Sequence, residues 1–325
     1  MKTKIQYPQA PKPIPFERRV TQLPSPIGDH RAEAYIYMPE SEPKTQVYFV
    51  HDVNDNKVRY QHFAETLVGY GHAVTLFDLR GHGRSPVDGQ YGYFAANEGW
   101  ERQIRDMATI FARNAQVNRP TILIGSGIGA LFALSYLKRN PSQISGAILL
   151  GPYTKWPGLN WAKTVTGVTS FFDPIGKGIR FQRKFNDALN ANIPSPETDY
   201  DWLSTIRREV EAYLATEHCG EPLCKRGYYD LTLLQSDIYS TSLWQITQRR
   251  LPIHIYYGGQ DPVESLTYRG GESLVRHLRQ VGYSETELFS IPRSRHDLLF
   301  DVDADAIFDE IVAFCEARTQ AVPRK

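Results

Sequence analysis

Short apolar runs alternate along this chain with stretches in which apolar residues return every three or four positions. The runs are Ala32 to Met38, Val47 to Val50, Ala73 to Phe77, Thr121 to Gly125, Ala147 to Leu150, Ile253 to Tyr257 and Glu287 to Ile291, and they read as strands. Helical patterns fall between them at Tyr60 to Tyr70, Trp100 to Ala115, Ile128 to Arg139, Gly271 to Val281 and Ala304 to Ala317. This order predicts an α/β fold with a mostly parallel central sheet flanked by helices on both faces. Ligands of such sheets bind beyond the carboxyl ends of the strands.

From about Pro152 to Trp244 the rhythm breaks into aromatic, glycine- and proline-containing sequence, with a helical stretch at Asp201 to Thr216. Strand signals return at Leu251. The chain is therefore read as an N-terminal extension (1–30), a core (31–151 and 246–325) and an inserted segment (152–245) that lies over the strand ends as a lid. Long excursions of this kind tend to be functional.

Composition narrows the partners. With 37 basic and 36 acidic residues among 325, the formal charge is +1, so no broad field favours nucleic acid or an anionic membrane. The proline- and lysine-rich opening from Met1 to Arg19 lacks the apolar stretch of a secretory signal, and no run approaches membrane-spanning length. Cys219, Cys224 and Cys315 are too few for a disulfide framework, and no His/Cys cluster has zinc spacing. The expectation is a cytoplasmic protein without a metal or other cofactor. Its oligomeric state is open.

The most informative stretch is Thr121 to Ala130, a buried strand turning sharply into a helix around Gly125-Ser126-Gly127-Ile128-Gly129. The turn pattern G-x-S-x-G needs small residues two places either side of a nucleophile, because strand and helix pass close there. Gly125 and Gly129 fill those places and centre the turn on Gly127, which carries no nucleophile. The rival register, with Ser126 as nucleophile, would put Ile124 and Ile128 where bulk is least tolerated. A dinucleotide fingerprint is a minor alternative, since residue 130 is alanine where the full G-x-G-x-x-G has its third glycine and the strand before it is not the first of the sheet. Asp78 to Ser85 likewise reads as a scaffold turn, because no phosphate-loop pattern is present.

Acyl transfer needs a nucleophile, a base, a carboxylate that orients the base, and N–H donors for the oxyanion. In chain order after the elbow, Asp261 follows the strand Ile253 to Tyr257, and His296 follows the strand Glu287 to Ile291. Alone, each reads as a turn or surface residue; together, leaving neighbouring strands at one sheet edge, they read as acid and base. The backbones of Val53 and Ile128 are the expected oxyanion donors. Site-proximal candidates are His51, Asp52 and Ser126, with His82 in a nearby loop. For His51 and Asp52 an ordinary polar loop is an equal alternative.

Together these residues resemble the serine hydrolases of the α/β-hydrolase superfamily, in the lysophospholipase, monoacylglycerol lipase and serine aminopeptidase group. The resemblance runs from about Tyr35 to Ala317. It is carried by Arg59-Tyr60 with Phe63-Ala64, Phe77 to Ser85, the elbow, Gln260 to Val263, Arg295 to Leu299, and the lid segments Asp201 to Ser204 and Gly227 to Leu231. It implies an α/β-hydrolase fold, a small acyl-ester or lipid-like ligand and no cofactor. The chain departs from the group at Gly127, where serine is usual, and at His51-Asp52, where His-Gly is usual. A carboxylate at residue 52 would oppose developing negative charge if it pointed inward.

Three readings follow. The first is a carboxylic ester hydrolase-like protein whose serine is replaced by glycine, inactive or weakly active as it stands. The second is a natural pseudo-hydrolase that binds an apolar or acyl ligand without turnover, which accounts for both departures through one loss of constraint. The third keeps chemistry without a covalent intermediate, through water activated by His296 or through protons moved by Asp52 and His296.

Overall fold

A computed structural model describes residues 14–319 apart from 27, 117 and 267–269. In chain order the elements are β1 (Phe16–Pro24), β2 (Arg31–Pro39), β3 (Gln46–Val50), α1 (Gln61–Gly69), β4 (Ala73–Phe77), α2 (Gly99–Asn114), β5 (Thr121–Ser126), α3 (Ile128–Arg139) and β6 (Gly146–Leu150). Then come α4 (Leu159–Phe172), α5 (Ile179–Asn190), α6 (Arg207–Ala215), α7 (Lys225–Ile238), β7 (Ile253–Gly258), α8 (Pro262–Leu266), α9 (Gly270–Val281), β8 (Thr286–Ile291) and α10 (Ala304–Thr319). Short 3-10 turns fill some of the connections.

The strands form one eight-stranded sheet in the order β1-β2-β4-β3-β5-β6-β7-β8. The pairs β1·β2 and β2·β4 are antiparallel, and every later pair is parallel. Every residue of β3, β4 and β6 is buried, as expected of strands covered on both faces. Successive side chains serve opposite layers. Tyr48, Val50, Leu123, Ala147, Leu149 and Ile255 pack with α2, α3 and α9, whereas Val47, Phe49, Ile122, Ile124 and Ile148 pack with α1 and α10.

Two elements depart from the sequence reading. The first is β1, which lies within the stretch read as an extension and pairs along its whole length with β2. Its residues Phe16 to Val20 are exposed and only Leu23 is buried, too little to leave a hydrophobic period, and its Glu17, Arg18 and Arg19 are the charges that typically protect a sheet edge. The second is the helix expected over Asp201 to Thr216, which begins only at Arg207. Ser204 prevents an earlier start: its Oγ accepts from the Ile206 N–H at 3.0 Å and donates to the Phe300 carbonyl at 2.8 Å.

The elbow follows from the close approach of β5, α3 and β3. Gly127 adopts φ 57° and ψ −123°, a left-handed conformation that side chains rarely tolerate. A Cβ on Gly129 would fall on the carbonyl oxygens of Val50 and His51, and one on Gly125 would meet the backbone of Gly129 and Ala130. Gly129→Ala should therefore force α3 away from β3. The expected loss is about 1–3 kcal/mol in urea-induced unfolding, the usual range for an overpacked interior.

Candidate active site

The parallel register brings the site together. Val50 of β3 pairs with Gly125 of β5, so Asp52 and Gly127, each two residues further on, leave the sheet abreast of each other. Asp52 points inward. Its Oδ1 accepts the Val53 N–H at 2.8 Å and the Ile128 N–H at 2.7 Å, the two backbone donors expected to form an oxyanion hole. The second of these is the first N–H of α3, where unpaired amides and the helix dipole favour negative charge. A Cβ built on Gly127 would fall directly on the Asp52 carboxylate. The aspartate thus fills the space that a serine side chain would need.

On the other side of that carboxylate stands His296. Its Nε2 lies 3.5 Å from Asp52 Oδ2, and its Nδ1 is 3.0 Å from Asp261 Oδ2. Asp261 is fixed in turn, because its Oδ1 accepts the Val263 N–H at 2.8 Å. Burial by itself would lower the His296 pKa, but the charge and hydrogen bonding of Asp261, reinforced by Asp52, outweigh it and raise the value to about 10. The imidazole at neutral pH is therefore a cation held between two carboxylates.

The ring is also clamped sterically. Tyr153 meets it edge-on at 5.2 Å and Trp202 lies tilted against it at 5.1 Å. Gly151, with φ 52°, packs beside it where a Cβ would stand 3.1 Å from the ring. The loop carrying His296 is tied to the segment between β6 and β7. Asp297 N–H donates to the Leu203 carbonyl at 2.8 Å, and Arg295 reaches the carbonyls of Asp201 and Ser204 at 2.7 and 2.9 Å.

Sequence reasoning singled out most of these residues but missed an ion network beside them. Arg59 bridges Asp55 at 2.6 Å and Asp297 at 2.7 Å, and Tyr60 donates to Asp55 at 2.8 Å. Burial, partly offset by Arg59, raises the Asp297 carboxyl pKa to about 6. The sequence signal was an arginine next to a tyrosine at the start of a helical pattern, with nothing to indicate its distant partners. Tyr153 and Gly151 left no chemical signature, and Trp202 entered only as part of the Asp201 to Ser204 resemblance.

The other site-proximal candidates separate. Ser126 lines the cavity next to the elbow, as the last residue of β5. His51 is fully buried and bonded at both nitrogens: Nδ1 to the Asp52 carbonyl at 2.6 Å, and Nε2 from the Leu79 N–H at 2.9 Å. It ties the β3 loop to the β4 loop. His82 bonds the Arg80 carbonyl at 2.8 Å, and burial drives its pKa down to about 3. Neither histidine lines the cavity.

That cavity, about 570 Å³, opens above Asp52, Ser126 and His296. Its roof comes from α4, α5 and α7, with Trp156, Trp161, Val165, Phe181, Phe185 and Leu231 among its lining. Such a space suits an apolar small molecule more than a charged one. Among the described residues no group of three or more His, Cys, Asp or Glu side chains could hold a metal ion, and no helix is long and apolar enough to cross a membrane.

A mostly parallel sheet with a glycine elbow at the end of β5, and Asp261 and His296 beyond β7 and β8, defines an α/β-hydrolase fold. The chain belongs to the family described as serine aminopeptidase, S33, whose profile matches residues 41–303. It is 28% identical over 293 residues to a monoacylglycerol lipase of Mycolicibacterium smegmatis, a match covering 89% of this chain and 94% of the relative. A thermostable carboxyl esterase from Bacillus coagulans superposes with a TM-score of 0.81 at 22% identity, over 94% of this chain and 99% of the esterase. A soluble variant of monoglyceride lipase from Saccharomyces cerevisiae gives 0.68 at 15% identity, over 98% of both. These two likenesses bear on the fold alone.

The charge arrangement has a measurable signature. A histidine whose pKa rises from 6.5 to about 10 on folding contributes stability that is complete below about 6.5 and fades as pH rises through 10. In proton NMR the His296 ring should titrate near 10. Asp52→Asn should lower that midpoint and narrow the stability gap between the two proteins on the alkaline side.

Proposed function

We propose that this chain is a lipase- or esterase-like member of the family that takes an apolar, acyl- or alkyl-bearing small molecule beneath a cap formed by 152–245, and that it does not turn over carboxylic esters through a serine. One observation carries this reading: the Asp52 carboxylate occupies both oxyanion donors and the space of a side chain at residue 127. An acyl substrate needs those donors for its own developing oxyanion. Here Asp52 competes for them from within the chain, and Gly127 supplies no hydroxyl.

The relatives' names and the aromatic cavity support the ligand class. Between a hydrolase missing only its serine and a chain naturally without serine-ester turnover, Asp52 favours the second. A serine loss alone would leave the donors open, whereas Asp52 and Gly127 fit each other as a pair. Gly127, Asp261 and His296 hold the places of a triad, with Val53 and Ile128 as donors now directed at Asp52.

The pairing makes single and double substitutions behave differently. Gly127→Ser alone should displace Asp52 from two charge-assisted hydrogen bonds and strain the turn, at a cost of about 2–4 kcal/mol. It should gain neither turnover of p-nitrophenyl esters nor labelling by a serine-directed fluorophosphonate. Asp52→Gly with Gly127→Ser should recover stability non-additively and acquire both. Rapid phosphonate labelling of the unmodified chain, at Ser126 or elsewhere, would overturn the reading, as would failure to bind a fluorescent fatty-acyl probe.

A further inference from the structure

The two N–H donors at the elbow point at an oxygen of the protein itself. Asp52 Oδ1 sits 2.8 Å from Val53 N and 2.7 Å from Ile128 N, so the only carbon whose oxyanion this hole can stabilise while the loop stays in place is Asp52 Cγ. His296, oriented by Asp261, faces the same carboxylate from the side of Oδ2. Oδ2 accepts no hydrogen bond from the described backbone, and the Asp52 side chain keeps 12% exposure in a cavity whose wall it forms. One oxygen is held and the other is presented.

A plug needs only to fill space, and a general base needs no oxyanion hole behind it. An oxyanion hole behind a carboxylate becomes useful when Cγ is an ester carbon under attack by water. We infer that Asp52 is a covalent nucleophile in place of the missing serine, and that the site hydrolyses apolar alkyl electrophiles at a saturated carbon rather than acyl esters at a carbonyl. This goes beyond the proposed function but rests on its apolar ligand and its lack of serine chemistry.

The steps balance with water as the only co-reactant. Asp52 Oδ2 attacks a saturated carbon bearing a leaving group, and a bond forms from Oδ2 to that carbon as the bond to the leaving group breaks. A halide leaves with the electron pair as an anion; an epoxide oxygen leaves as an alkoxide and takes a proton from water. The product is a neutral alkyl ester on Asp52. One of the two carboxylates holding the His296 proton is thereby neutralised, which lets the imidazole give that proton to solvent and serve as a base.

His296 Nε2 then takes a proton from water, whose oxygen bonds to Cγ. The negative charge collects on Oδ1, where the Val53 and Ile128 N–H groups already point. Collapse breaks the bond from Cγ to the alkyl-bearing oxygen, and His296 returns the proton to the departing alcohol. Asp52 is regenerated with one oxygen from water, and the alcohol carries one oxygen that had belonged to Asp52.

That exchange of oxygen is the test, and it uses the unmodified protein. Protein in excess over n-octyl bromide, or over the terminal epoxide of octane, is mixed in heavy-oxygen water, quenched after a single turnover and digested for mass spectrometry. The expected result is one heavy oxygen in the peptide containing Asp52 and light oxygen in the alcohol, with the two electrophiles telling which leaving group is accepted. His296→Gln should trap the alkyl group on Asp52 as a stable adduct, and Asp52→Asn should lose adduct and turnover alike. Heavy oxygen in the first alcohol with none in Asp52 would overturn the inference in favour of direct attack by water. Absence of adduct, label and alcohol with both electrophiles, in protein that still binds the fluorescent fatty-acyl probe, would also overturn it while leaving the apolar-ligand reading intact. Loss of probe binding as well would overturn both.

Discussion

The contact between the Asp52 carboxylate and the first turn of α3 is the constraint around which the site is arranged. Two backbone N–H groups that open toward a ligand in a serine-containing elbow are here closed by a side chain from the neighbouring strand loop. Their satisfaction is favourable in itself, since a helix start leaves amides unpaired and carries partial positive charge. It is possible only because residue 127 has no Cβ. The aspartate and the glycine are therefore one structural feature, and neither can be interpreted alone.

From that contact the charge pattern spreads outward. Asp52 and Asp261 grip opposite nitrogens of His296, and Asp261 is itself pinned by the backbone N–H of Val263. Arg59 pairs with both Asp55 and Asp297 in a buried network one residue along from His296, and the imidazolium also lowers the Asp297 carboxyl pKa. Tyr153, Trp202 and Gly151 then fix the ring's tilt and its depth. Rigid positioning of this kind is what general acid–base and nucleophilic chemistry requires.

The chain between β6 and β7 does more than line the cavity. Hydrogen bonds from Arg295 and Asp297 to the carbonyls of Asp201, Leu203 and Ser204 join the segment between α5 and α6 to the loop that carries His296. Those contacts also explain why α6 starts late, because the carbonyls of Asp201, Leu203 and Ser204 are engaged with that loop instead of with a helix.

Much of this was legible in the order of residues. The seven expected strands recur with shifts of a residue or so; the central ones stand out because strands buried on both faces are continuously apolar, as β3, β4 and β6 are. The elbow's register was readable because Gly125 and Gly129 are steric requirements that can be recognised without knowing what they approach. Asp261 and His296 could be paired because chain order and strand ends limit where they lie. β1 was not legible, since an exposed edge strand is held by backbone hydrogen bonds and leaves no hydrophobic period. The sequence by itself therefore determined the α/β layout, the centre of the turn and the absence of a serine hydroxyl there. Only the tertiary structure decided what lies against Gly127, because the direction of the Asp52 side chain depends on the Val50–Gly125 register and on an N–H 76 positions away. A local pattern of residue types carries no trace of a contact made across neighbouring strands.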